Sequence, residues 1–329
     1  MVALQNAENT ENILFNPASM QQYKYCYNHQ YGVCNWILVI DDSSEFCVAC
    51  RLNRVIPNLS DFEYRQRWHK IELAKHRLIY SLLRWQLPVQ SKIENPQQGL
   101  AFDFKANPNS ANEPRVLTGH DKGLITLNIA EADDVERAMA RDNMDEVYRT
   151  LLGHFRHEIG HYYWDLLIDG TEYLAPCRAL FGDDRASYQE ALDRHYHQGP
   201  PANWQEQYIS SYATMHPWED WAETWAHYLH IVDVLETVYA FGVQIHPQIV
   251  QQQPQHFMHL SQAIDPYAGH SFVEIYQAWL PISFAMNSLN RSMGQEDFYP
   301  FVINAAVQQK LQFIHEVIQA QHHKVGQVA

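Results

Sequence analysis

The stretch HFRHEIGHYYW, residues 154–164, carries the pattern H-E-x-x-H at His157, Glu158 and His161, and it restricts the fold more than any other feature of the chain. Two histidines four apart can put ring nitrogens on one metal only if the segment is helical, because i and i+4 then lie one turn apart on a common face. The surrounding residues agree. Val147, Leu151, Phe155, Ile159, Tyr162 and Leu166 form an apolar stripe at helical spacing in a helix beginning near Asp145, and His157 and His161 lie off that stripe.

A zinc ion held by two histidines needs one more protein ligand and keeps a position for water. A metzincin would continue with Gly at 164 and His at 167, where this chain has Trp164 and Leu167. A glutamate on a second helix is the other solution. HPWEDWAETWAHYLH, 216–230, opens with Pro217 at a favoured first helical position and presents Glu219, Glu223 and His227 four apart on one face. Trp218, Trp221, Ala222, Trp225 and Ala226 around them predict that this face is buried, and a buried carboxylate requires a partner or a metal. We take Glu219 as the third zinc ligand, Glu223 as the acceptor on the far nitrogen of a ligating histidine, and His227 as a reserve ligand. Glu158, beside the metal rather than on it, is placed to take a proton from an activated water and deliver it to a leaving amine, which is peptide-bond hydrolysis.

Four of the five cysteines crowd into one short stretch as Cys26, Cys34, Cys47 and Cys50, two pairs separated by a hairpin-length segment. Four thiolates close a tetrahedral zinc shell and fold a segment too small to have a core of its own, as in a zinc ribbon. The first pair is loosely spaced, so His29 is an alternative to Cys26 as ligand; Cys177 stands alone and reads as a small buried side chain. Two zinc ions are therefore expected, one catalytic and one structural. An odd number of crowded cysteines is not a secreted disulfide framework, and the N-terminus has neither a basic start nor an apolar stretch of signal length, so a cytoplasmic protein is expected. A net charge of −15 argues against broad affinity for nucleic acid or anionic membranes, and no segment has the apolar length of a membrane span.

Along the chain, residues 1–20 and 323–329 are polar and aperiodic and are expected to be loose. A zinc ribbon is placed at 21–58. A connecting helix follows at 59–90, opened by a Ser60–Glu63 capping box and carrying Tyr64, Trp68, Ile71, Leu78, Leu82 and Trp85 at helical spacing. Segments 99–106 and 123–129 alternate like half-buried strands, Glu131, Asp133 and Asp134 open a short helix, and from Trp204 the pattern is almost wholly helical, including a capping box from Ser271 to Glu274. The fold class is α+β, mostly helical. His154, His195, His197, His216 and His230 read as surface or hydrogen-bonded core residues, and RALFGDDRASYQ, 178–189, as a turn with surface ion pairs.

Taken together, CNW, CVACRLNRVIPNLS, GHDKGLITLNIAEADD, LLGHFRHEIGHYYW and HPWEDWAETWAHYLH resemble the bacterial zinc-ribbon-containing zinc metallopeptidases over roughly residues 21 to 320. The resemblance implies a zincin-like metallopeptidase domain, 91–322, with a helical C-terminal subdomain, preceded by the small β ribbon, and a peptide or protein substrate. More remotely, SYATMHPWEDWAETW is similar to anthrax lethal factor-type peptidases, in which a tyrosine precedes an E-x-x-x-E helix whose first glutamate binds zinc. That likeness falls on Tyr212, Glu219 and Glu223 and implies Tyr212 as a donor to the developing oxyanion. The rival reading is a non-enzymatic zinc protein that uses the ribbon to bind a protein or nucleic acid.

Overall fold

The structure, a computed structural model, describes residues 5–6, 13–108, 110, 112–133, 150–248 and 258–326, and the side chains of 13–321 among these. They fall into two compact units, one drawn from Met1–Tyr80, Val89–Ala140 and Thr150–Phe155, the other from Ser81–Pro88, Arg141–Arg149 and Arg156–Ala329. The mostly helical α+β class holds.

The first unit begins with an antiparallel sheet in the order β1 (Gln5–Asn6), β2 (Ile13–Phe15), β3 (Gln22–Tyr25) and β4 (Ile37–Val39). Residues 1–20 were expected to be loose, yet Gln5 pairs with Phe15, and Ile13 to Phe15 pair with Lys24 to Gln22. Backbone pairing needs no hydrophobic period, which is why polar composition hid these short strands. Directly after Cys50, β5 (Asn53–Val55) joins a second sheet ordered β5, β6 (Ala101–Lys105), β8 (Leu124–Asn128), β7 (Gly119–Asp121), with β5, β6 and β8 parallel and β7 antiparallel to β8. Since β6 is central, its polar positions are buried too: Asp103 is fully enclosed and takes a bidentate contact from Arg54. The alternation of 99–106 is thus that of a central strand, not a half-exposed one.

Helix α1 (Phe62–Arg84) buries Trp68, Ile71 and Leu78 completely within this unit. Its start departs from expectation: Asp61, not Ser60, caps it, its carboxylate accepting from the Glu63 and Tyr64 amides at 2.9 and 3.2 Å, while Ser60 hydroxyl turns to Asn58. A carboxylate two residues before the free amides reaches them with charge as well as geometry. Phe155 stacks edge-on to Phe102 and Phe104. The short helix expected after Glu131 is a 3-10 turn, Ile129–Ala132, as far as the described residues go, and Asp134 and 145–149 lie outside them.

The second unit is helical. Its elements are α2 (Leu151–Leu167, of which Arg156 onward belongs here), α3 (Leu174–Phe181), α4 (Tyr188–Gln198), α5 (Pro217–Phe241), α6 (Phe272–Ser292) and α7 (Ala305–Gly326). Helix α5 is the core element, burying Trp221, Trp225, Tyr228, Leu229, Val232 and Leu235. Truncating one such ring, Trp225, to alanine should cost about 3–5 kcal/mol. A helix this enclosed has no polar face, so its acidic residues must find partners inside. Asp220 does so with Lys310 of α7 at 2.6 Å. Helix α6 opens with the Ser271–Glu274 capping box. The α7 backbone stays helical to Gly326, past the point where a loose tail was expected. No helix among the described residues is long and apolar enough to cross a membrane.

Candidate metal centre

Where α2 and α5 meet, the fourth letter of H-E-x-x-H decides the distance. A Cβ on Gly160 would lie 3.0 Å from the Ala222 Cα, 3.2 Å from the Trp225 Cβ and 3.3 Å from the Ala222 oxygen. Only a residue without a side chain lets the two backbones come this close. Trp221 pins the contact by donating its indole N–H to the Gly160 carbonyl at 2.8 Å. Glu219 and Glu223 flank Ala222 on one helix, and His157 and His161 flank Gly160 on the other, so this approach delivers the carboxylates to the imidazoles.

The resulting geometry is tight. His157 Nε2 lies 2.9 Å from Glu219 Oε2, His161 Nε2 lies 3.4 Å from the same oxygen, and the two Nε2 atoms are 3.1 Å apart. Three donors each about 2.0–2.1 Å from one tetrahedral zinc would stand about 3.3 Å from one another. Glu219 Oε2 is moreover buried without a hydrogen bond, the condition of an atom shaped for a metal. The donor set therefore fits zinc. On the far side of His157, Nδ1 donates to Glu223 Oε1 at 2.6 Å, and Ser210 donates to the other oxygen of Glu223 at 2.6 Å. That pairing holds the ring so that Nε2 of His157 is the atom that faces the centre.

Charge follows from this enclosure. Burial works to raise the Glu219 carboxyl, but His161 and His157 outweigh it and hold it below the usual carboxylate range. Burial likewise opposes Glu223, yet the hydrogen bond from His157 and the nearby charge bring it down to about 2. For His157, burial disfavours the cation, and Glu219 and Glu223 overcome it and hold the imidazole well above its ordinary value. The acids thus present negative charge for a cation.

Glu158 is half-buried one residue from His157, and among the described residues it makes no hydrogen bond or ion pair. Tyr212 stands with its ring 5.9 Å from that of His157. Burial, the charge of Glu219 and the neighbouring Tyr188 all push its phenol upward, so it stays a donor. His227 is not in the cluster: its Nδ1 is 2.9 Å from the Tyr299 hydroxyl and its ring packs on Phe301, so residues 299 and 301 take up this side chain. His216 accepts from the Trp218 amide as the cap of α5, and Arg178–Asp184 and Arg185–Asp183 form ion pairs at 2.6 and 2.8 Å.

Sequence reasoning gave no site role to three neighbours. Trp218 lies over His161 with ring centroids 3.7 Å apart, Ser210 holds Glu223, and the Tyr188 hydroxyl donates to Glu219 Oε1 at 2.9 Å. Trp218 was legible as a buried aromatic beside the ligands; Ser210 and Tyr188 sit in loops and at a helix start with no spacing that points to the site.

The four ribbon cysteines are buried, free of disulfides, and gather their sulphurs within 4.8 Å of one another. Cys34 and Cys47 are 3.7 Å apart, close to the ~3.8 Å edge that about 2.3 Å zinc–sulphur bonds require. Hydrogen bonds among the thiols hold Cys26 below its ordinary value and push Cys34 up, the splitting of groups that share protons. His29 does not replace Cys26: its Nδ1 faces the Cys34 carbonyl at 2.9 Å and its ring stacks on Tyr25. The histidine that does approach is His76 of α1, unflagged by any motif, with Nε2 3.2 Å from the Cys34 sulphur and Nδ1 2.7 Å from the Glu72 carbonyl.

Residues 64–317 match the model of a family described as "Putative zinc-binding metallo-peptidase". The chain belongs to this zinc-binding metallopeptidase family. Residues 1–61 match a zinc-ribbon domain, the segment that holds the cysteine cluster, and zinc is the metal that both family models name. Uncharacterized proteins of Mycobacterium bovis and Mycobacterium tuberculosis are 45% identical to it over 294 residues, covering 89% of this chain and 82% of theirs. No solved structure matches it.

Proposed function

We propose that this metallopeptidase hydrolyses peptide bonds at a gluzincin-type centre in which His157, His161 and Glu219 hold a catalytic zinc, while Cys26, Cys34, Cys47 and Cys50 hold a second, structural one. The observation that carries the reading is the convergence of three donor atoms within 3.4 Å at the H-E-x-x-H helix, with the carboxylate of Glu158 left without a partner beside them. Zinc held there supplies Lewis acidity, acidifying a water and polarising the scissile carbonyl.

The chain's own residues do the rest. Glu158 accepts the proton that the attacking water loses and returns it to the departing amine. Glu223, itself fixed by Ser210, holds the His157 ring in one tautomer. Tyr212 donates its phenolic hydrogen to the carbonyl oxygen as negative charge builds there. A peptide or protein is the substrate, and the unpaired ribbon thiols suit a reducing compartment such as the cytoplasm.

Zinc content measured beside cleavage of a mixed fluorogenic peptide library tests this reading. Wild type should carry two zinc ions and cleave; Glu158→Gln should keep both and lose turnover by about 10²–10⁴-fold; Glu219→Ala should retain one zinc. Wild type that holds two zincs yet cleaves nothing in the library would favour the non-enzymatic interaction protein instead.

A further inference from the structure

Glu219 has two oxygens, and the structure treats them differently. Oε2 faces His157 and His161 and makes no hydrogen bond, whereas Oε1 accepts the Tyr188 hydroxyl at 2.9 Å. Tyr188 opens α4, where Ser187 caps the helix by accepting from the Glu190 amide, so the backbone that carries this phenol is fixed. Its ring packs against His216 and Trp218, with centroids 5.4 and 6.1 Å away, two of the three residues that precede the carboxylate it contacts.

A carboxylate bound to zinc through both oxygens takes up two positions; bound through one, it leaves room for water and for a substrate oxygen. Which occurs depends on whether the second oxygen has something better to do. We propose that Tyr188 is the positioning residue of the catalytic metal site, holding Oε1 of Glu219 so that Oε2 alone binds the metal. The inference rests on the reading of His157, His161 and Glu219 as metal ligands.

Three consequences follow from the contact between Tyr188 and Glu219. Removing the Tyr188 hydroxyl frees Oε1 and alters both the affinity for metal and its coordination number. Removing the Tyr212 hydroxyl leaves the bond from Tyr188 to Glu219 in place and so leaves metal affinity alone. Removing the hydroxyl of Tyr196, an exposed neighbour on α4 outside this contact, changes neither.

The test is zinc competition against a chromophoric chelator, and visible absorption after cobalt(II) is loaded in place of zinc, on the full chain with the ribbon site filled. Tyr188→Phe keeps the ring and its packing. It should weaken the catalytic-site zinc by about tenfold or more, the usual effect of losing a group that orients a metal ligand, and shift the cobalt spectrum towards higher coordination. Tyr212→Phe and Tyr196→Phe should stay within twofold of wild type in affinity. A Tyr188→Phe protein with wild-type affinity and an unchanged cobalt spectrum overturns the inference. Glu219→Ala, run alongside, separates this failure from a failure of the ligand set: if it loses the second zinc while Tyr188→Phe does not, only the role of Tyr188 falls; if it too keeps both zincs, the ligand assignment falls and the inference with it.

Discussion

Replacing Gly160 by alanine adds one methyl group where two helices touch, and two opposing terms decide the outcome. Alanine is the better helix former in the interior of α2, worth about 1 kcal/mol. Against this, the new carbon would meet the Ala222 Cα at 3.0 Å and the Ala222 oxygen at 3.3 Å. Carbon pairs are at ease near 3.5–4.0 Å, so α2 and α5 have to separate by about 0.5 Å. Both near atoms of Ala222 are backbone, so no rotamer change relieves them, and overpacking of this kind costs about 1–3 kcal/mol. The net expectation is a loss of about 0–2 kcal/mol without metal.

The metal sharpens the result. A shift of about 0.5 Å is the limit within which a ligand constellation still works, and here it moves Glu219 and Glu223 away from His157 and His161 together. Catalytic-site zinc affinity should fall about tenfold, and the stabilisation that zinc confers should shrink by about 1.4 kcal/mol at fixed free zinc. Urea midpoints with and without a chelator, together with zinc competition, measure both parts. A Gly160→Ala protein that is about 1 kcal/mol more stable and binds zinc as wild type does would refute the reasoning, showing that propensity alone acts and that the close approach of the helices does not set the site.

Tyr212→Phe should leave folding intact and raise the barrier to peptide cleavage by about 2.7–4 kcal/mol, seen as turnover at saturating peptide; turnover within twofold of wild type would remove its role as oxyanion donor. Burial pushes His227 down to about 4 from an ordinary 6.5. The unfolded chain then binds this proton first, so the stability contribution is complete above pH 6.5 and is lost as pH falls towards 4, by roughly 3 kcal/mol over that window. His227→Gln should flatten this part of the curve of unfolding free energy against pH, and an unchanged curve would dismiss the assignment. His76→Ala should loosen ribbon zinc without touching the second site, since Nε2 lies 3.2 Å from the Cys34 sulphur; equal release rates on chelation from mutant and wild type would argue against any part for His76.

Local rules made a good deal of this protein legible. H-E-x-x-H forces a helix if it is to bind metal, Pro217 and its tryptophans announce a buried helix, and paired cysteines announce a metal knuckle, because each signal lives within a few turns of chain where spacing and geometry are one thing. Tertiary structure decided what spacing does not encode. Glu219 and His227 look alike in sequence as acid and base on one face of α5, but only the former joins the metal centre, because Tyr299 and Phe301, far along the chain, take up the His227 ring. Tyr188, Ser210 and His76 became neighbours of their sites through loops and helix starts far away along the chain, where no period links them to the residues they touch. Gly160 stands between both kinds of information: its lack of a side chain is written in the sequence, but that a second backbone would fill the vacancy could be seen only once Ala222 lay against it.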